Sequence, residues 1–402
     1  MNTMSRTTFR TAGLAALSCA ALLLAGCGGD DEKPAAAGST ANGTTAAASE
    51  GLDQDGAKAA VDEARGVPAF IEPGPAFDGT GARGKTIALV PDYPSTPFVQ
   101  EINVGLKAAA KEAGITVKDC ANDGSVGGWV KCFNQAINAK PDAIVLNGSP
   151  SPSQLQPQIK AANAAKIPVI ANHVPLDTEF PDGTLPATNT EGLTAVQPGP
   201  FPLGAKLMAD YPISVDGDKV NALIVTADEA PASKGLVKMI QDEMAAKCAS
   251  CENTVLNVPI TDWSTKLQGE TRTALLRDPS INWVIAIYDG AMTQIVPAIQ
   301  SAGRKGKVKL TGFNGQGFAL NGIADGTVAS TMGENLEWTG WATIDRVLRV
   351  IVNGNADDAT TPDTPIRVWD AENIADAGTP PKPTQGYGDE FKDGYLTLWG
   401  LK

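Results

Sequence analysis

The chain has 402 residues, 43% of them hydrophobic and 19% charged, which is enough apolar material for two or three domains. Its 32 basic and 45 acidic residues give a formal net charge of −13, so a phosphate backbone would repel it and nucleic acid is excluded as the main partner. The single histidine, His173, excludes multi-histidine metal sites and argues against a Ser-His-Asp arrangement. We expect neither a metal nor a cofactor.

The first segment has the pattern of a bacterial lipoprotein signal. Two arginines precede an apolar run over residues 12–25, which is shorter than the roughly 20 residues that a membrane-spanning helix needs. The run ends in Leu24-Ala-Gly-Cys27, which resembles a lipobox. We expect residues 1–26 to be a signal peptide and Cys27 to carry lipid, so that the mature protein is extracytoplasmic and anchored to the bacterial cell membrane. The alternative is an ordinary secretory signal with an incidental cysteine.

Residues 27–83 are rich in small and polar side chains and are predicted to form a flexible tether. The segment Gly79–Thr86 satisfies both the Walker-A and the Gly-x-Gly-x-x-Gly patterns. A phosphate-binding loop of either kind must follow a strand and open a helix. Here a proline-rich segment precedes the glycines and a predicted strand follows them. We therefore interpret these glycines as the end of the linker.

Four further cysteines predict disulfide bonds in an oxidising compartment. They are Cys120, Cys132, Cys248 and Cys251. The sequence does not fix their connectivity, although proximity favours pairing the first with the second and the third with the fourth. The alternative for Cys248-Ala-Ser-Cys251 is a redox motif, which requires a thiolate at a helix N-terminus. This pair follows the end of a predicted helix, where the helix dipole disfavours a thiolate, so a structural bridge is the better interpretation.

From residue 84 onward, short β-branched runs alternate with longer helical stretches. Strands are predicted at residues 86–90, 115–118, 143–146, 168–171, 221–225, 254–256, 283–286, 308–311 and 328–330. Helices are predicted at residues 97–113, 126–139, 152–165, 231–247, 264–277, 290–302 and 337–352. In the first helix, Thr96 is a suitable N-cap, Pro97 suits the first position and Gly114 suits the end.

Continuous apolar strands separated by helices indicate parallel sheets that are covered on both faces. A Pro- and Gly-rich stretch over residues 176–202 separates the two sets of strands. The predicted fold class is therefore α/β, with two doubly wound parallel-sheet lobes.

Polar residues follow the predicted strands at their carboxyl ends, where ligands gather in open α/β sheets. These residues are Asp92, Tyr93, Asn147, Asn172, His173, Asp228, Tyr288, Asp289, Asn314, Glu334 and Asn335, with Phe98 and Trp263 as nearby aromatics. Such groups suit a neutral polyol, whose hydroxyls both donate and accept hydrogen bonds. Aromatic faces pack on the apolar side of a sugar ring. The alternative for any single residue is that it caps the next helix.

The order and spacing of several segments resemble those of the type I periplasmic sugar-binding proteins, the group of ribose- and galactose-binding proteins that feed ABC importers. The segments are Thr86–Pro91, Thr96–Phe98, Lys111–Gly114, Lys140–Asn147, Ile167–Asn172, Tyr288–Met292, Leu310–Gly315 and Asp325–Thr331. The resemblance implies ligand contacts at Phe98, Asn172, His173, Lys234 or its neighbour Ser233, Trp263, Tyr288, Asp289, Asn314 and Glu334. Asp92 is a further candidate because it follows the first predicted strand. Phe98 and Trp263 would sandwich the sugar ring. Both arginines of the family pattern are absent, and Val99 replaces a second aromatic residue.

The resemblance also implies two lobes joined by a hinge of three segments, with the ligand enclosed when the lobes close. The expected ranges are 84–189 plus 335–367 for the N-terminal lobe and 190–334 plus 368–402 for the C-terminal lobe, with crossings near Asn189, Glu334 and Val368. The expected function is that of a monomeric solute-binding lipoprotein. It would capture a small polar ligand, a monosaccharide, deliver it to the membrane permease of an ABC importer and catalyse no reaction.

Two alternatives remain open from the sequence. The first keeps the fold and makes the protein a sensor that presents its bound ligand to a membrane receptor. The second is a carbohydrate-active enzyme that uses Asp289 and Glu334 as paired carboxylates, which in such enzymes stand about 5–10 Å apart.

Overall fold

The computed structural model describes residues 51–402, except residues 149, 187 and 360–363. The expected signal peptide and Cys27 lie outside the described residues. The strands are β1 (Thr86–Pro91), β2 (Thr116–Asp119), β3 (Ala143–Asn147), β4 (Val169–Asn172), β5 (Ala195–Gln197), β6 (Asn221–Thr226), β7 (Glu252–Asn257), β8 (Trp283–Ala286), β9 (Lys309–Asn314), β10 (Ser330–Glu334) and β11 (Ile366–Asp370). The α-helices are α1 (Gln54–Ala64), α2 (Pro97–Glu112), α3 (Val126–Ala139), α4 (Gln156–Ala164), α5 (Phe201–Asp216), α6 (Ser233–Lys247), α7 (Gln268–Arg277), α8 (Met292–Ser301), α9 (Gly317–Ala324), α10 (Leu336–Asn353) and α11 (Glu390–Leu398).

The first lobe is built on a parallel sheet in the strand order β2-β1-β3-β4-β5. Successive side chains of a strand point to opposite faces, so the two faces carry separate cores. Ile87 and Leu89 of β1 lie in a core with α2 and α10, whereas Ala88 and Val90 lie in a core with α3 and α4. Both faces of the sheet are therefore buried, as the continuous apolar strands predict.

The second lobe is built on a six-stranded sheet in the order β11-β10-β9-β8-β6-β7. Its strands are parallel, except that β11 runs antiparallel to β10. Helices α1, α5 and α6 cover one face, against Ile224 and Ile285, and helices α7, α8 and α9 cover the other, against Val225 and Val284. The two sheets with interspersed helices have the expected fold of two doubly wound lobes.

After β5, the chain passes to the second lobe later than the sequence suggested. It leaves the first sheet after β5, at Pro198–Pro200 rather than near Asn189, because β5 pairs in register with β4. The next passage lies between β10 and α10, and another precedes β11, ahead of Val368.

The C-terminal segment, expected in the second lobe, returns to the first lobe. The cause is aromatic packing, since Phe391 of α11 stacks on Trp338 at 4.4 Å between ring centroids and Trp399 stacks on Trp341 at 5.7 Å.

Residues 51–83 are folded, which corrects the expectation of a flexible tether over that range. Helix α1 buries Ala57 and Val61 against the second lobe. The following segment, residues 65–83, which we call the strap, crosses to the first lobe. There the backbone N–H of Phe77 donates to the Leu398 carbonyl at 2.9 Å, and that of Gly79 donates to the Trp399 carbonyl at 2.8 Å. The strap is thus attached to both lobes.

Both disulfide bonds pair the cysteines that are close in sequence, as expected. Cys120 is bonded to Cys132, and Cys248 is bonded to Cys251. Cys248 is the buried C-cap residue of α6, so the pair follows a helix end, which agrees with the structural interpretation over the redox one.

Candidate functional site

The carboxyl ends of the two parallel sheets meet, and side chains from both lobes are in contact there. His173, directly after β4, places its Nε2 3.0 Å from Oε2 of Glu334 at the end of β10. The Asn314 amide at the end of β9 donates to Oε1 of Glu334 at 2.8 Å. Both members of the His173–Glu334 pair are buried. This pair therefore joins the lobes at the base of the cleft between them.

The imidazole of His173 is held between two aromatic rings. Phe98, near the start of α2, and Phe201, at the start of α5, each meet it edge to face with ring centroids 4.8 Å apart. His173 itself has a positive φ of 55°, a conformation that non-glycine residues adopt infrequently. Its backbone N–H donates to the Gln197 carbonyl at 2.8 Å, which fixes the turn after β4.

Asn172 precedes His173, but its side chain lies inside the first lobe. Its two amide hydrogens are directed to Asn147 Oδ1 at 2.7 Å and Thr343 Oγ1 at 3.0 Å, and its Oδ1 accepts from the Gly148 N–H at 2.6 Å. Both of its donors are therefore used within the lobe. Asn172 therefore positions the end of β4, and His173 is the one of the two whose side chain lies at the base of the cleft.

Asp289, after β8, is completely buried, and Thr331 Oγ1 and the Gln316 N–H donate to it at 2.9 Å. Burial raises the pKa of Asp289 to about 7, although these hydrogen bonds act in the opposite direction. Asp289 and Glu334 are the two carboxylates of the enzymatic alternative, and both are bound to protein groups. Asp289 in particular supports the loop after β9.

The second lobe also contributes two partly exposed aromatic residues. The Tyr288 hydroxyl lies 3.2 Å from the Ser233 hydroxyl at the start of α6. The Trp263 Nε1–H donates to the Val258 carbonyl at 2.8 Å, and the indole ring covers Gly290, where an added Cβ would lie 3.0 Å from the ring. Lys234 is exposed beside Ser233. The aromatic faces are thus held by hydrogen bonds from their polar atoms.

Asp92 lies at the carboxyl end of β1 in the first lobe. Its backbone is fixed, since its N–H donates to the Asn147 carbonyl at 2.9 Å and its carbonyl accepts from Trp129 Nε1 at 2.9 Å. Its Oδ1 is shielded from solvent and has no hydrogen-bond partner among the described groups. Burial raises the pKa of Asp92 well above its usual range.

The structure reveals one cleft element that the sequence did not indicate, the loop between β4 and β5. Phe180 of this first-lobe loop is buried in a core of the second lobe, 5.9 Å from Phe201 between ring centroids. It lies against Gly235 of α6 so closely that a Cβ there would be 1.9 Å from the Phe180 ring. The loop has many prolines and glycines and no strand periodicity, so nothing in its pattern predicted that Phe180 would bridge the lobes.

A surface depression of about 450 Å³ lies at the opposite, amino ends of the first sheet's strands, where Lys85, Asp142 and Thr194 precede their strands. The predicted ligand-binding side chains lie at the other, carboxyl ends of the strands, away from this depression. In the described part of the chain, no group of three or more His, Cys, Asp or Glu side chains is arranged to hold a metal ion. Nor does any described helix have the length and hydropathy to cross a bilayer.

Comparison with known proteins agrees with this architecture. Residues 87–356 match a family model described as periplasmic binding protein domain. Among solved structures, a carbohydrate transporter from Acidothermus cellulolyticus in complex with myo-inositol is 22% identical, with a TM-score of 0.61 over 76% of this chain and 99% of that one. An ABC transporter solute-binding protein from Agrobacterium vitis with bound D-fucose is 21% identical, with a TM-score of 0.62 over 72% of this chain and 96% of that one. A periplasmic ribose ABC transporter from Conexibacter woesei is 20% identical, with a TM-score of 0.61 over 74% and 95%.

Proposed function

Because this chain belongs to the periplasmic binding protein domain family, we propose that it is the solute-binding component of an ABC importer. It captures a small polar ligand, a monosaccharide, between its lobes and delivers it to a membrane permease. It acts as a monomer, anchored to the membrane by lipid on Cys27, and catalyses no reaction.

The observation that carries this proposal is the meeting of polar and aromatic side chains from both lobes at the strand ends. Asp92 and Phe98 come from the first lobe, and Trp263, Tyr288 and Asn314 come from the second. Hydroxyl groups of a ligand would bind the carboxylate and amide groups, and the apolar face of its ring would pack on the aromatic ones. The solved relatives with bound myo-inositol and D-fucose support the same ligand class.

Trp263 is expected to contribute strongly to ligand binding. A thermal-shift screen of pentoses, hexoses and polyols identifies the ligand first, since a ligand at 100 times its Kd adds about 2.7 kcal/mol of stability. Trp263→Ala should then weaken binding about 10- to 100-fold, because it removes an aromatic face that the ligand would bury, while the polar groups stay in place.

The matched control is Leu276→Ala, which truncates an exposed side chain on α7 of the same lobe. It should leave the calorimetric Kd unchanged. Equal affinities of wild type and Trp263→Ala would place the site elsewhere.

Membrane attachment is expected to depend on Cys27. In cells, wild type should sediment with membranes and Cys27→Ala should remain in the soluble fraction, because stable anchoring requires two acyl chains or an equivalent second signal. Cys19→Ala is the control, since that cysteine lies within the apolar run of the signal. Sedimentation of Cys27→Ala to the same extent as wild type would rule out the lipid anchor.

A further inference from the structure

The side chains around the cleft include more carboxyl groups than basic groups. Asp92, Asp289 and Glu334 follow strands β1, β8 and β10, and Glu229 follows β6. No lysine or arginine stands directly after any of these strands. The basic side chains nearby are Lys234, which is exposed, and His173, whose Nε2 already faces Glu334.

Asp92 differs from Asp289, Glu334 and Glu229 in that no described protein group donates to its side-chain Oδ1. Asp289 accepts from Thr331 and a backbone N–H, Glu334 faces His173 and Asn314, and Glu229 accepts from the Ile260 N–H at 2.6 Å. The Asp92 Oδ1 is shielded from solvent, yet no described group donates to it. Leaving a shielded carboxylate oxygen unpaired is costly, so a hydrogen-bond donor supplied by a ligand would stabilise Asp92.

Asp92 also lies next to aromatic residues of the first lobe. The Trp129 Nε1–H donates to its backbone carbonyl at 2.9 Å, and Tyr93, the next residue, meets Trp129 edge to face with ring centroids 6.2 Å apart. An ammonium group gains from both kinds of neighbour, because it pairs with carboxylates and is attracted to aromatic faces.

We infer that the ligand is an amine-bearing polyol, such as an amino sugar, whose protonated amino group binds the Asp92 carboxylate. This inference rests on the proposed function and specifies its ligand class. An ammonium group supplies three donors and a positive charge, which satisfy the unpaired oxygen and stabilise the ionised form of the Asp92 carboxyl. A neutral hydroxyl satisfies only the hydrogen bond.

Matched ligand pairs test the inference on the wild-type protein. The pairs are glucosamine with glucose, galactosamine with galactose, and glucosamine with N-acetylglucosamine, in which acetylation removes the charge. Calorimetry should give about tenfold or tighter binding of the amine in at least one pair, since a charge-assisted hydrogen bond in a shielded site is stronger than a neutral one. The preference should decrease at high salt.

Asp92→Asn should abolish this preference by weakening the amine about tenfold or more while leaving its neutral partner within about twofold. Asp242→Asn, which changes an exposed carboxylate paired with Lys238 on α6, should leave the preference intact. The wild-type comparison does not depend on the folding of either variant.

The outcomes separate the two proposals. Binding of the neutral sugar as tightly as its amine, unchanged in Asp92→Asn, overturns the amine assignment and leaves the sugar-binding function standing. Failure of every amine and every neutral polyol in the wider screen overturns the proposed function together with this inference.

Discussion

Replacing Gly340 with alanine is expected to lower the free energy of unfolding by about 3 kcal/mol, at the upper end of the usual cost of overpacking. A Cβ on Gly340 of α10 would lie 2.2 Å from the backbone nitrogen of Leu106 in α2, and one on Gly105 would lie 2.1 Å from the Glu337 carbonyl oxygen. Because each clash involves backbone, no side-chain rotation relieves it. Urea unfolding followed by tryptophan fluorescence measures the loss.

The control is Gly269→Ala in α7, where an added Cβ meets no atom within 4 Å. Alanine is the better helix former by about 1 kcal/mol, so this variant should be as stable as wild type or more so. If Gly340→Ala were as stable as Gly269→Ala, α2 and α10 could not approach as closely as the structure has them.

The prediction matters for function because α10 connects the cleft to the first lobe. It begins two residues after Glu334, with the Asn335 side chain accepting from the Trp338 N–H at 3.1 Å. Its Thr343 hydroxyl accepts from Asn172 at the end of β4. Separating α10 from α2 should therefore disturb the base of the cleft as well as the core of the first lobe.

The elements that the sequence predicts well are those whose local signals agree with their packing. Helix α2 has Thr96 as its N-cap, with Oγ1 accepting from the Val99 N–H, and Pro97 in its first turn. Gly114 follows the helix with a positive φ of 72°. The buried strands are recognisable in the sequence as continuous β-branched runs, because strands covered on both faces are apolar along their whole length.

The elements that the sequence does not reveal are stabilised chiefly by tertiary contacts. Helix α1 is rich in alanine and charged residues, so its sequence resembles that of a linker. Its few buried residues are recognisable only in the fold, where α5 and α6 cover them. Helix α5 has Pro202 in its first turn and Pro212 in its interior, and an interior proline predicts the end of a helix. Strand β5 has only three residues and depends on its pairing with β4.

The strand ends are predictable as a location, but the direction of each side chain is not. The sequence predicts both Asn172 and His173 as ligand contacts. In the structure, the positive φ at His173 turns its ring toward Glu334, whereas the Asn172 side chain lies within the first lobe. Tertiary contacts select that conformation, since Phe98 and Phe201 enclose the ring. Proposed ligand contacts at Asp92, Trp263 and Tyr288 stay predictions for the same reason, since strand-end position alone does not fix contact.

Arg65→Ala is expected to destabilise the protein by about 3 kcal/mol, because it removes the partner of a buried carboxylate. Arg65 joins α1 to the strap, and its Nε and Nη2 donate to Oδ2 of Asp370 in β11 at 3.0 and 2.6 Å. Asp370 is 3% exposed, so its charge would be left with only the Tyr211 hydroxyl and a backbone N–H as donors. The melting temperature and the urea midpoint should both fall.

Lys58→Ala provides the matched control within α1. Lys58 pairs with Asp62 at 2.6 Å, but both side chains are exposed, so the loss should be no more than about 0.5 kcal/mol. A large difference between the two variants is expected only if α1 and the strap are integral to the fold, since a flexible tether would tolerate both changes equally. Equal melting temperatures for Arg65→Ala and Lys58→Ala would restore the tether interpretation for residues 51–83. A selective loss in Arg65→Ala would show that α1 and the start of the strap are fixed to the second lobe through Asp370.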